Sequence, residues 1–338
     1  MHRIRLFLLL TCLTGFLCLP FFWPMAQQGS VKEQGSLWMQ KGERAFQDAR
    51  YDSAIRCFAE AANAFARPEQ PAARARALMR QSECHRIISH IDDAYRLFLE
   101  ARELIEAHRI QDPLMLGDLH HLESNIVSDQ GDFVAAIRIM KEAIALKARA
   151  HPRPDSSISM SLNNIGFNFY YLAENDSAKH YYSLALNRAL QDRERYLSDV
   201  ATFMQNISLV HSRKEDLDSA LWLMQESMAI REKILPPGNP DLAHSYLNIS
   251  SIYSSVGNYE QAMAYSKKAV DIFYNSLGPD AVELSIQYSS MANHMIRLGD
   301  WEKSLEYHRK SLQISYQNES LRNDRTTSIK AIADYYFF

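Results

Sequence analysis

Small residues recur along this chain at a fixed spacing, and that spacing restricts the fold more than any other feature. Ala54, Ala94, Ala136, Ala178, Ala220, Ala262 and Ser304 stand in equivalent places; the first step is 40 residues and every later one is 42. A fixed period of this size marks a stacked-repeat protein, in which each unit packs on its neighbours. Twelve residues before each anchor sit Gly42, Ser82, Ser124, Gly166, Ser208, Ser250 and Ala292; seven after it sit Ala61, Ala101, Ala143, Ala185, Ser227, Ala269 and Ser311. Three small columns predict two helices crossing at close range inside each unit. Ten after the anchor the residues are apolar except Arg188, and Phe58, Phe98, Met140, Tyr182 and Met224 stand at the fourth position. Offsets of 0, 4, 7 and 10 describe one face of a helix.

The punctuation agrees. Gly131, Gly257 and Gly299 precede the second helix of their units, where a helix end uses positive φ. Phe133, Tyr259 and Trp301 follow by two residues, with Tyr51 at the equivalent place, and can plug the gap between helices. Pro68, Pro71, Pro113, Pro152, Pro154, Pro236, Pro237, Pro240 and Pro279 all fall near unit junctions, as expected of a residue excluded from helix interiors. No strand alternation competes.

This pattern resembles the tetratricopeptide repeat family. The matching residues include Gly42, Tyr51, Ala54, Phe58 and Ala61 in the first unit, and Tyr253, Gly257, Tyr259, Ala262 and Ala269 in the sixth. The longer period, the string SLNNIG at 161–166 and the Pro-Asp starts at Pro154, Pro240 and Pro279 are similar to the kinesin-light-chain-like subgroup, over about residues 35–338. The resemblance implies an all-α fold: a right-handed solenoid of about seven helix-turn-helix units plus a C-terminal half unit. The units fall near 35–68, 72–110, 113–152, 155–193, 196–236, 240–278 and 280–319, with a partial one over 325–338. In that half unit strict counting puts Asp334 in the small column, one past Ala333, so the spacing slips by one.

Ahead of the repeats, Arg3 and Arg5 precede an apolar run from Leu6 to Trp23, and residues 27–34 form a polar linker. Two readings of residues 1–26 stand. One is an export signal cleaved after Ala26; the other is an uncleaved membrane anchor over 6–23. Both place the repeats outside the cytoplasm, periplasmic or extracellular. A formal net charge of −3 argues against a nucleic-acid partner, which requires a basic surface.

Catalytic patterns are absent from the sequence. It contains no His-Glu-x-x-His, paired Cys-x-x-Cys, Gly-x-Ser-x-Gly or phosphate-cradling glycine loop, so no catalytic residue, metal or cofactor is expected. Cys57 and Cys84 are read as buried thiols, with a disulfide as the alternative in an exported chain. Asn164, Asn206 and Asn248, each fourteen residues before an anchor, should stack as a ladder on the concave side lined by first helices. Side-chain amides offer donors and acceptors to an extended peptide backbone. Asn163, Tyr170, Tyr171 and Gln205 can add contacts, and Arg213 and Arg297 can meet carboxylates. The family resemblance implies a peptide-binding role for such asparagines; the alternative is that they bond neighbouring helices together.

The expected function is therefore a non-enzymatic exported scaffold holding a protein or peptide in a groove. Exported arrays of this kind also resemble the front halves of larger bacterial proteins. These continue into a CHAT-type peptidase, a membrane sensor kinase or a transcription regulator, so a truncated sensor region is the second expectation. The aromatic end, Tyr335 to Phe338, suggests a third role in self-association.

Overall fold

The computed structural model describes residues 22–150, 156–318 and 321–337. Among these the regular elements are all helical. Packing divides the chain into two compact units, Met1–Pro152 and Arg153–Phe338. The first holds three helical hairpins: α1 (Phe22–Gln47) with α2 (Tyr51–Ala64), α3 (Pro71–Ile87) with α4 (Ile91–Ala107), and α5 (Pro113–Asp129) with α6 (Phe133–Ala150). The second holds α7 (Ser156–Tyr171) with α8 (Asn175–Ala189), α9 (Leu197–Arg213) with α10 (Leu217–Ile234), α11 (Pro240–Ser255) with α12 (Tyr259–Leu277), and α13 (Val282–Arg297) with α14 (Trp301–Tyr316). A last helix, α15 (Arg322–Phe337), packs on α14.

The small columns make the crossings. All six anchor alanines are fully buried and Ser304 nearly so. The serines twelve residues earlier do more than save space. Ser82, Ser124, Ser208 and Ser250 each donate a hydroxyl hydrogen bond to the backbone carbonyl of their own anchor, at 2.7–2.8 Å. A buried hydroxyl needs a partner, and the facing helix supplies one. Glycine takes this place where a ring fills the gap: a Cβ on Gly42 would lie 2.6 Å from the Phe58 ring, and one on Gly166 2.7 Å from that of Tyr182.

A fourth small column escaped the sequence reading. It lies nineteen residues before the anchor: Gly35, Ala75, Gly117, Ser159, Ala201, Ala243 and Ser285, all buried. It faces the column seven after the anchor, as Ser227 donating to the Ala201 carbonyl at 2.6 Å and Ser285 to that of Ser311 at 3.0 Å show. The expected tenth-position face holds in three units, where Ile230, Ile272 and Ile314 are buried, and needs correction in the other four. There Ala64, Leu104, Leu146 and Arg188 are only half-buried, whereas Phe65, Ile105, Lys147 and Ala189, one residue further on, are buried; Phe273 and Ser315 are buried at that place as well, and Arg231 is half-buried. The spacing 0, 4, 7, 11 follows the crossing seam more closely than 0, 4, 7, 10.

Every hairpin turns the same way. The residues at 49, 89, 131, 173, 215, 257 and 299 all have positive φ. The next residue's N–H returns to the carbonyl five back in each turn, from Arg50 to Ala45 through Asp300 to Met295, at 2.8–3.2 Å. This is the Schellman arrangement, which satisfies the last carbonyls of the first helix. Only three of the seven positions are glycine; Ala49, Ser89, Ala173 and Glu215 adopt φ of 55–62° despite their side chains.

Three further expectations meet the structure. α1 runs through 27–34, expected as a linker, because Pro24 falls in its first turn, where proline is tolerated, and no further proline interrupts it. Residues 1–21, which carry most of the export or anchor reading, lie outside the described residues; among those described, no helix is long and apolar enough to cross a membrane. In α15 Ser328 is buried with its hydroxyl 3.4 Å from that of Ser311, while Thr327, its neighbour by strict counting, is exposed. Cys57 and Cys84 are free thiols. Burial above all pushes the Cys84 thiol up to about 12.

The seam of the third hairpin carries a buried cation. Lys147 is 3% exposed, with Nζ 3.1 Å from Asp118 and 3.4 Å from Nδ1 of His121. Gly117 makes room, since a Cβ there would stand 2.7 Å from the lysine Cγ. Enclosure, then the charges of Lys147 and Arg86, push the His121 pKa down to about 3. Burial lowers His294 and His308 as well.

Two outcomes are expected. Ala173→Gly should stabilise the fold by about 0.5–1 kcal/mol and Gly257→Ala should cost about 1 kcal/mol, because side chains are penalised at positive φ; shifts in the urea midpoint measure both. Below the ordinary histidine value of 6.5, the unfolded chain takes up a proton that folded His121 holds only near pH 3. Stability should therefore fall as pH drops through that window, by at most about 1.4 kcal/mol per pH unit for this one group. Urea midpoints at pH 7.5, 6.0 and 5.0 should show a shallower decline in His121→Gln.

Candidate peptide-binding face

The first helices of the second unit carry all nine residues singled out from the sequence. On α7, Gly166 lets the Tyr182 ring of α8 press against the backbone, which seats the SLNNIG segment. On this segment and α9 the amides bond mainly to one another. Asn206 donates through Nδ2 to Oδ1 of buried Asn163 at 2.7 Å, and Asn163 donates to Oδ1 of Asn164 at 3.3 Å. Asn168, buried and not anticipated, donates to the Asn164 carbonyl at 2.9 Å. The first two rungs of the ladder are thus joined across α7 and α9 through Asn163, which is the helix-bonding alternative raised by the sequence.

Elsewhere the amides are less committed. Oε1 of Gln205 is buried without a hydrogen-bond partner. Asn248 on α11 is half-buried, and among the described residues no hydrogen bond, ion pair or ring contact occupies it or the exposed Arg297 on α13. Neither is joined to the α7–α9 cluster by such a contact.

Arg213 is more anchored than expected of a residue awaiting a carboxylate. Its Nη1 donates to the Tyr170 carbonyl at 2.6 Å and its guanidinium lies 3.5 Å from the centre of that ring. Both interactions tie α9 to α7. Tyr171 is 56% exposed and pairs with Phe167, 40% exposed, at 4.6 Å between ring centres. Sequence reasoning missed Phe167, although its spacing of four from Tyr171 on one helix was the available signal. Burial raises the Tyr182 pKa, and the nearby Tyr170 and Tyr171 add to the shift. That hydroxyl stays protonated at neutral pH and offers the face no charge.

Helical hairpins packed along small-residue seams, with polar and aromatic groups displayed on first helices, define the class of helical-repeat proteins. More specifically, residues 199–275 match the family described as tetratricopeptide repeat, and the described helices share the fold of solved members of that class. The apo quorum sensor NprR from B. thuringiensis superposes with a TM-score of 0.66 at 15% identity, covering 92% of this chain and 83% of that one. A Rap protein complexed with competence and sporulation factor gives 0.62 at 13%, covering 90% and 88%. A Podosopora anserina putative kinesin light chain with nearly identical TPR-like repeats gives 0.53 at 14%, covering 62% and 99%. No curated protein matches the sequence. Residues 199–275 thus carry tetratricopeptide-type repeats, the described helices share the fold of such arrays, and that fold suits a scaffold for protein–protein interaction.

The bonding pattern separates two kinds of asparagine. Asn206→Ala should cost about 1–2 kcal/mol, because it strands a buried amide oxygen on Asn163. Asn248→Ala should change stability by under about 0.5 kcal/mol. Chemical denaturation of the two variants checks the contrast.

Proposed function

We propose that this chain is an exported, non-enzymatic scaffold that holds a protein or an extended peptide along the first-helix face of residues 153–338. The observation that carries the reading is the exposed Phe167–Tyr171 pair on α7, together with amide groups on α9 and α11 whose hydrogen-bonding capacity is incompletely used. An extended peptide presents backbone N–H and carbonyl groups at intervals that Gln205 and Asn248 can answer. An apolar side chain can rest on the aromatic pair, and Arg297 can meet a carboxylate. The similar Rap fold was solved in complex with competence and sporulation factor, and NprR is a quorum sensor; both support ligand capture by this architecture. Export rests on Arg3, Arg5 and the apolar run that follows them.

The test uses the chain secreted by its own host, with a mature N-terminus at Gln27 expected by mass spectrometry. Linear peptides selected from a display library should bind it. Combined Tyr171→Ala and Asn248→Ala should weaken them at least tenfold by calorimetry without moving the urea midpoint. Equal binding by that variant would remove this face as the site, and a retained N-terminal segment would remove cleaved export.

A further inference from the structure

The hairpin corner between α3 and α4 brings together chemistry that the peptide-binding reading does not use. The positive-φ turn at Ser89 folds His90 back so that its N–H bonds the carbonyl of His85 at 2.9 Å. That geometry places residues five apart side by side, and here both are histidine, with ring centres 5.9 Å apart. Asp93 follows in the first turn of α4 and directs Oδ2 toward Nδ1 of His85 at 4.0 Å. One donor atom from each of the three side chains lies within 4.8 Å of the others.

We infer that His85, His90 and Asp93 form a binding site for a divalent transition cation of the zinc type. Two imidazole nitrogens and one carboxylate oxygen are the donor set such ions prefer, and three protein ligands leave coordination positions open. An independent observation points the same way: Nδ1 of His85 is buried without a hydrogen-bond partner, although buried polar atoms are normally paired. Tetrahedral coordination at about 2.0–2.1 Å sets donors roughly 3.4 Å apart. Rotation of the exposed His90 and Asp93 side chains toward the fixed His85 ring closes the difference.

Two cations work against the site. Arg96 donates to Oδ1 of Asp93 at 3.0 Å, and Arg56 shares with Asp52, His85 and His90 the lining of the adjoining crevice. The Arg96 pair is exposed on both sides and therefore weak, and it leaves Oδ2 for the ion. Motif spacing carries no warning of this site, because the ligands read His-x4-His-x2-Asp across a turn, outside the familiar single-helix and paired-cysteine patterns.

Zinc chloride titrated into the full chain, free of any histidine tag and in competition with a chromogenic chelator, tests the assignment. One equivalent should bind at micromolar or tighter affinity. His90→Ala and Asp93→Asn, both at exposed positions, should each weaken it at least tenfold with unchanged circular dichroism. His211→Ala is the control: its corner pairs His211 with Asp216 at 2.7 Å and, among the described residues, is not part of a three-ligand cluster, and its loss should leave the tight equivalent intact. Magnesium chloride should not compete. Equal zinc binding by wild type, His90→Ala and Asp93→Asn, or no tight equivalent in the wild type, would overturn the site.

Discussion

Close approach of two helix backbones is the constraint from which the rest of this structure follows. At each crossing the anchor has no side chain beyond a methyl or hydroxymethyl group, and the facing residue is equally small. Four of the crossings add a hydroxyl bond onto the anchor carbonyl. Such a bond holds the rotation of one helix against the other as well as their separation. A larger residue in either column would meet backbone or ring atoms, as the glycines beside Phe58 and Tyr182 make plain.

Once the crossing is set, the turn has little freedom. Seven hairpins reverse through the same positive-φ position, four of them without glycine. Packing of the two helices outweighs the local penalty of a side chain in that region. The recurring turn also explains why residues five apart meet at every corner. In one hairpin the pair is His211 and Asp216, in another His85 and His90, and the identity of the pair decides whether the corner is a plain cap or a cluster of donors.

The displayed face of the second unit mixes two jobs. Asn163, Asn206 and Arg213 spend hydrogen bonds and ring contacts on joining α7 to α9. Phe167, Tyr171 and Arg297 are exposed, and half-buried Asn248 is bonded to no neighbouring helix among the described residues. A repeated residue type is therefore not a uniform surface. The asparagine column is structural at one rung and available at another, according to whether a neighbouring helix offers a partner.

The sequence by itself determined the all-α repeat architecture, the anchors and two of the small columns flanking them; it expected the register of the last helix to slip back to Ala333, whereas the buried small residue there is Ser328, one past strict count. Those features are periodic, and period is a one-dimensional property that close helix packing imposes directly on the chain. It did not reveal the small column at Gly35 to Ser285, though the same count contained it, and in the first four units it placed the buried seam one residue early. Tertiary structure alone decided which polar groups are spent and which are spare. Asn206 finds Asn163, Arg213 finds Tyr170, Lys147 finds Asp118, and Nδ1 of His85 is left without a hydrogen bond. The physical reason is that a hydrogen bond depends on distances of a few tenths of an ångström between different helices, and no spacing along a single chain encodes those.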